Sequence, residues 1–298
     1  MMSRTGSRLV AAVTSSIALV ACAAEPPRPA FAPGVSSARP YGLFVPKLEK
    51  RAGARVPLVL VLHGYSIDGQ KEVNMLKLEA FAAEKGIALA WPDGTKDKNG
   101  YRFWNASDAC CNWHGSGVDD VRYLSGVIDE LIATAPIDPK RVYVIGHSNG
   151  AFMAHRLACE RAEKVAAIAS IAGLPWKDAG RCQPSEPVSV VQLHGTADTA
   201  IALGGGRIEQ NPPYPSAREA ATQWAQRNRC AGEGTESADR FDHDRAAPGP
   251  ETAKLRFERC ARGVAVELWT MQGSTHEPDL AGAGIEAIHA FFMAHPKP

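Results

Sequence analysis

Val142-Tyr143-Val144-Ile145-Gly146-His147-Ser148-Asn149-Gly150 decides the fold. A β-branched, apolar run, read as a strand over Arg141 to Ile145, passes without a break into Gly-x-Ser-x-Gly. The two glycines suit an abrupt strand-to-helix turn, because a Cβ at Gly146 or Gly150 would collide with closely packed backbone. Such a turn holds the Ser148 hydroxyl out at the sheet edge, which is the arrangement of a serine hydrolase nucleophile elbow. The bare pentapeptide recurs by chance in many chains, so its weight comes from the strand before it and from the partners found elsewhere.

A serine hydroxyl is a poor nucleophile at its own pKa and needs a histidine base whose tautomer is fixed by a carboxylate. Downstream, the apolar run Val188 to Leu193 leads into His194-Gly195-Thr196-Ala197-Asp198, placing Asp198 on a loop just past a buried strand. Val264 to Met271 reads as another strand, followed by the loop Gln272-Gly273-Ser274-Thr275-His276 and a helical stretch from Gly284 to His295. Taken singly, these residues read equally well as a helix N-terminal serine, a turn or cap aspartate and a loop histidine. In the order Ser148, Asp198, His276, each after a strand, they make the catalytic triad of an α/β-hydrolase. Asp93 looks like a turn former, and Asp242 and Asp244 lie in a polar loop, so none competes for the acid position. Acyl transfer also needs backbone N–H groups aimed at the developing oxyanion. One is expected from Asn149 and the other from Tyr65, where Pro57 to Leu62 runs into His63-Gly64-Tyr65. A plain strand-to-loop turn is the alternative for His63-Gly64.

His63-Gly64, Trp91-Pro92-Asp93-Gly94, Cys110-Cys111, Val118-Asp119-Asp120-Val121, the elbow, the Asp198 loop and His276 follow one another in this order. With them the chain resembles the polyhydroxybutyrate depolymerase and feruloyl esterase group of α/β-hydrolases, over about residues 41 to 295. The resemblance implies a serine esterase without a large lid or a cofactor, with Ser148, Asp198 and His276 as its triad. It also implies action on esters of hydroxyalkanoates or of hydroxycinnamate-decorated polysaccharide. Two departures bear on this. Glu277-Pro278-Asp279 stands where family members often carry Trp-Pro-Gly, so pocket assignments do not transfer, and Ala151 replaces a frequent second glycine under the elbow.

At 298 residues, with 45% hydrophobic and 22% charged residues, the chain suits one large domain, assigned to 41–298. A net charge of +1 with no basic cluster argues against a nucleic-acid partner. Arg4 and Arg8 precede the apolar stretch Leu9 to Ala21, too short for a membrane span but suited to a signal peptide over 1–21. Leu19-Val20-Ala21-Cys22 resembles a bacterial lipoprotein cleavage box, with Cys22 as the lipidated first residue that tethers the enzyme to a membrane. Ordinary cleavage near Ala21-Cys22-Ala23, giving a soluble exported protein, is the alternative. Residues 22–40, rich in Pro, Ala and Ser, read as a tether. The cysteines other than Cys22 are even in number, which in an exported chain suggests disulfides, with Cys230 to Cys260 the favoured pair. No metal is expected, since paired Cys-x-x-Cys spacing with suitable histidines is missing.

Strand signals at Pro57 to Leu62, Ile87 to Trp91, Arg141 to Ile145, Ala166 to Ile171, Val188 to Leu193 and Val264 to Met271 alternate with helix signals. That alternation predicts a mostly parallel sheet with helices on both faces. Val118 to Ala133 is one helix, with Asp119 and Asp120 favouring its dipole. Ser216-Ala217-Arg218-Glu219 is a capping box that opens another, reaching Arg229. Ala231 to Arg259 reads as a polar stretch. The long loop Lys96 to Gly117 carries Tyr101, Phe103, Trp104 and Trp113, and Trp104 is the favoured substrate contact, with simple packing as the alternative. Gly204 to Pro215 is expected to be flexible and to border the cleft. The reading from a different class is an anchored binding protein with an inert elbow.

Overall fold

Strands buried on both faces must be apolar throughout, and the six apolar runs become the six parallel strands of one nine-stranded sheet. The computed structural model describes residues 39–47 and 53–298. The signal peptide, Cys22 and all but the last two residues of the tether lie outside the described residues.

In chain order the strands are β1 (Tyr41–Phe44), β2 (Val56–Leu62), β3 (Ala88–Pro92), β4 (Thr95–Lys96), β5 (Arg102–Phe103), β6 (Ile137–His147), β7 (Ala167–Ile171), β8 (Ser189–Gly195), β9 (Ala231–Phe241), β10 (Thr252–Glu258) and β11 (Val266–Met271). The helices are α1 (Gly69–Met75), α2 (Leu78–Lys85), α3 (Asp120–Thr134), α4 (Asn149–Glu160), α5 (Ala217–Arg227) and α6 (Ala283–Ala294). The large sheet runs β1-β3-β2-β6-β7-β8-β11-β10-β9, and β4 and β5 form a separate hairpin. β3, β2, β6, β7, β8 and β11 are parallel, while β1 at one edge and β10 and β9 at the other are antiparallel.

Side-chain alternation divides the core into two layers. From β2, Leu58, Leu60 and Leu62 pack with α3, α4 and α5 on one face. Val59 and Val61 pack with α1, α2 and α6 on the other. Each fully buried Leu or Val contributes about 1.5–3 kcal/mol before entropy is set against it.

The six predicted strands all form, with ends moved by a few residues and β6 starting earlier, at Ile137. The capping box of α5 has both of its reciprocal bonds. Asp119 caps α3, and the buried Asp120 pairs with Arg39 at 2.7 Å while accepting the Asn105 N–H at 2.7 Å. The Cys230–Cys260 disulfide is present, with Cys159–Cys182 and the adjacent pair Cys110–Cys111 beside it.

Two expectations are corrected. The polar stretch after Cys230 holds an antiparallel pair, β9 and β10; β9 is mostly solvent-facing, so its sequence carries no apolar alternation to read. Gly204 to Pro215 is pinned rather than loose: Gly206 bridges Tyr214, and the buried Tyr214 hydroxyl accepts the Ala202 N–H at 3.0 Å.

Candidate active site

β6 turns directly into α4, and the turn falls on Ser148, whose φ of 52° and ψ of −121° are unusual for a residue with a side chain. A conformation of this kind costs about 1–3 kcal/mol and persists only where the surroundings enforce it. Here close packing enforces it: a Cβ on Gly146 would lie 2.2 Å from the Gly150 carbonyl oxygen, and one on Gly150 would lie 2.1 Å from that of Leu62. Ala151 faces Gly173, where an added Cβ would stand 2.5 Å from the Ala151 methyl. The space that a glycine at 151 would leave is thus taken up by the alanine.

The loops after β8 and β11 bring the other two residues to this turn. His276 Nε2 lies 2.9 Å from Ser148 Oγ, and His276 Nδ1 lies 2.8 Å from Asp198 Oδ2. A carboxylate only accepts, so Nδ1 carries the proton and Nε2 offers its lone pair to the serine. The Asp198 side chain is fully buried, whereas His276 keeps a fifth of its surface, 22%, open to solvent. Asp198 Oδ1 accepts the N–H groups of Ala200 and Ile201 at 2.9 and 2.8 Å. Burial acts to raise the Asp198 pKa, but the His276 hydrogen bond and the Ile201 N–H, with the two neighbouring imidazoles, outweigh it, and the carboxyl is held below its usual range.

Beneath the acid runs a chain of neutral groups. The Trp224 indole donates to His155 Nδ1 at 2.9 Å, which leaves His155 Nε2 to donate to Gln192 Oε1 at 3.1 Å. The Gln192 amide donates toward His194 Nδ1 at 3.4 Å, and His194 Nε2 donates to the Ile201 carbonyl at 2.7 Å. Burial lowers the pKa of both histidines, that of His155 to about 4.

The His63-Gly64-Tyr65 loop abuts Ser148, since a Cβ on Gly64 would lie 3.5 Å from Ser148 Cβ. Among the described residues, neither the Tyr65 N–H nor the Asn149 N–H has a hydrogen-bond acceptor. His63 accepts the Gly94 N–H on Nε2 at 2.9 Å and so donates from Nδ1 to the Gly64 carbonyl at 2.7 Å. That bond shapes the turn beyond what a plain strand end requires.

Trp104 does not line a cleft. It is fully buried, its indole donates to the His63 carbonyl at 3.0 Å, and its ring lies against His63. The Asn149 amide pairs with the Trp104 backbone, accepting its N–H at 2.6 Å and donating to its carbonyl at 3.1 Å, so the residue locks the long loop onto the elbow. The aromatic surface left at this loop belongs to the half-exposed Tyr101 and the partly buried Tyr65 and Trp113, with ring centroids 5.8 and 6.0 Å from that of Tyr65. Burial, helped by the bond to Asp97, pushes the Tyr65 hydroxyl up to about 12.

Two buried polar residues behind the elbow, Glu72 and His147, had no sequence signal: α1 carries no clear apolar period, and His147 occupies the variable position of the pentapeptide. No group of three or more His, Cys, Asp or Glu able to hold a metal occurs among the described residues. Nor is any helix there long and apolar enough to cross a membrane.

A mostly parallel sheet carrying a serine on the turn into a helix, with an aspartate and a histidine on later strand ends, is the α/β-hydrolase fold. Within it, the chain belongs to the family described as Esterase PHB depolymerase, whose model matches residues 40–204. Feruloyl esterase B of Piromyces equi is 30% identical over 219 residues, which cover 71% of this chain and 38% of that protein. Poly(3-hydroxyalkanoate) depolymerase C of Paucimonas lemoignei is 31% identical over 181 residues, covering 54% of this chain and 39% of that protein. The chain therefore matches less than half the length of either relative. Acetyl xylan esterase from Aspergillus awamori shares the fold with a TM-score of 0.60 at 16% identity, covering 86% of this chain and 94% of that one.

Proposed function

We propose that the protein is a serine esterase in which Ser148 is the nucleophile, His276 the base and then the acid, and Asp198 the group that orients His276. The observation that carries this is the unbroken chain Asp198 Oδ2, His276, Ser148 Oγ, with both contacts under 3 Å at 2.8 and 2.9 Å. His276 takes the hydroxyl proton as Ser148 Oγ attacks the ester carbonyl, and the tetrahedral oxyanion is met by the N–H groups of Tyr65 and Asn149. Each such donor contributes about 3–4 kcal/mol to the transition state. His276 then protonates the departing alcohol, and water repeats the sequence on the acyl-serine to release the acid. Asp198, held ionised, stabilises the imidazolium formed in each half.

The substrate proposed is an ester of short or oligomeric hydroxyalkanoates, in keeping with the family. A second reading, hydroxycinnamoyl or acetyl esters of plant polysaccharide, is favoured by the Tyr65, Tyr101 and Trp113 rings beside the oxyanion loop, which offer flat apolar area to a planar acyl group. Export completes the proposal, with Cys22 as the lipidated residue. If Cys22→Ser leaves the protein in the membrane fraction, the anchor is discarded.

Hydrolysis of a short-chain p-nitrophenyl ester by the mature protein and by Ser148→Ala tests the mechanism, and a panel of hydroxybutyrate oligomers and methyl ferulate ranks the substrates. A fluorophosphonate should label the wild type and not the variant. An unlabelled, inactive but folded wild type would favour the anchored binding protein.

A further inference from the structure

His147 sits inside the elbow with its side chain only 6% exposed, and its two ring nitrogens serve different loops. Nε2 lies 2.9 Å from the His276 carbonyl oxygen, which can only accept, so Nε2 carries a proton. Nδ1 then faces Glu72 Oε2 at 3.5 Å, and Glu72, reaching in from α1, is itself 1% exposed. A neutral imidazole beside an ionised Glu72 would set a lone pair against a carboxylate in a buried site, which is unfavourable without a proton between them. Glu72 Oε2 also accepts the Gly64 N–H at 3.2 Å. The result is a buried series, Gly64 N–H, Glu72, His147, His276 carbonyl, that passes behind Ser148. It joins the loop carrying the Tyr65 N–H to the loop carrying the base.

We propose that Glu72 and His147 are positioning residues: an imidazolium–carboxylate pair that holds the Tyr65 loop and the His276 loop in register with Ser148, so that loss of its proton slows turnover. This rests on the triad reading given above. Burial alone would strip the proton from His147, yet the Glu72 contact, the His276 carbonyl and the charge of Glu277 outweigh it, and the His147 pKa is raised. The other ionisable neighbours leave that balance in place. His63, just past β2, is held neutral by burial, which outweighs the opposing pull of its bond to the Gly64 carbonyl, and its Nε2 accepts the Gly94 N–H. Asp93, after β3, is neutralised by Arg102 of β5 at 2.9 Å. His276 itself meets Asp198 on its far side at 2.8 Å. A raised pKa means that the pair survives to higher pH than a free imidazole would allow and comes apart as pH rises through that value.

The test compares kcat and KM for the wild type, Glu72→Gln and Glu72→Leu across the pH range on a p-nitrophenyl ester, with 15N-histidine NMR of the same proteins. Glu72→Leu cuts the series and should lower kcat about tenfold or more while KM moves by less than about twofold, the mark of lost positioning. Glu72→Gln can accept from Gly64 and donate to His147 Nδ1 without an ionisable group, so it should recover much of that loss and lack the alkaline fall in kcat expected of the wild type. The NMR should show both His147 nitrogens protonated at neutral pH in the wild type, and only Nε2 in Glu72→Gln. A wild-type alkaline limb retained in Glu72→Gln, or a His147 that is neutral at pH 7 in the wild type, overturns the proposal. Ser148→Ala in the same series separates the two readings. An active Ser148→Ala removes the triad itself, whereas an inactive one beside wild-type-like Glu72 variants removes only the brace.

Discussion

The centre of the sheet and its C-terminal edge are held by different means. At the centre, every residue of β2, β7 and β8 is buried, and backbones approach so closely that glycines at the elbow have no space to give. At the edge, β9 is largely exposed, its start is joined to the end of β10 by the Cys230–Cys260 bridge, and its glycines Gly232 and Gly234 take positive φ. The centre sets the geometry on which the chemistry is proposed to depend; the edge is attached to it by pairing and a covalent link. Substitutions should therefore divide into those that abolish turnover or folding and those that only lower stability.

The largest effect belongs to Ser148→Ala, which should reduce kcat on a p-nitrophenyl ester by roughly six orders of magnitude with an unchanged melting temperature. Next come the glycines. Gly150→Ala forces a methyl to 2.1 Å from the Leu62 carbonyl oxygen and should cost more than about 4 kcal/mol or prevent folding, measured by urea unfolding. Gly232→Ala meets nothing within 4 Å and suffers only from its φ of +75°, so about 1–2 kcal/mol is expected, with kcat intact. Equal costs at the two sites would end the contrast. Replacing Cys230 and Cys260 together by Ser opens a link spanning 30 residues of sequence and should cost about 3–4 kcal/mol in the chain-entropy treatment, again without touching kcat.

The same contrast explains what could be read from the chain beforehand. Strands buried on both faces advertise themselves as unbroken apolar runs, so all six parallel strands were legible, and with them the loops that bring Asp198 and His276 to Ser148. β9 has the composition of a polar loop because pairing, not burial, makes it a strand, and periodicity does not register pairing. Trp104 was misplaced for a related reason: an aromatic on a long loop looks alike whether it faces a cleft or, as here, caps the His63 carbonyl from inside. Glu72 and His147 are legible only once α1 is folded against the elbow, since nothing local marks a buried polar pair.

The smallest effect tests whether local signals on an exposed helix start carry their usual weight. Ser216 Oγ accepts the Glu219 N–H at 3.1 Å, and Glu219 returns a bond to the Ser216 N–H at 2.7 Å, fixing the first turn of the helix that packs on β8 and β11. Ser216→Ala removes one of the two bonds and should cost about 1 kcal/mol in urea unfolding. Glu219 also meets Lys177 at 2.8 Å, but both side chains are about half exposed, so solvent screens the pair and Lys177→Ala should cost less than about 0.5 kcal/mol. A Lys177 effect equal to that of Ser216 would mean that an exposed charge pair, rather than the cap, orders this helix start. This helix start would then depend on ionic strength in a way that the buried centre does not.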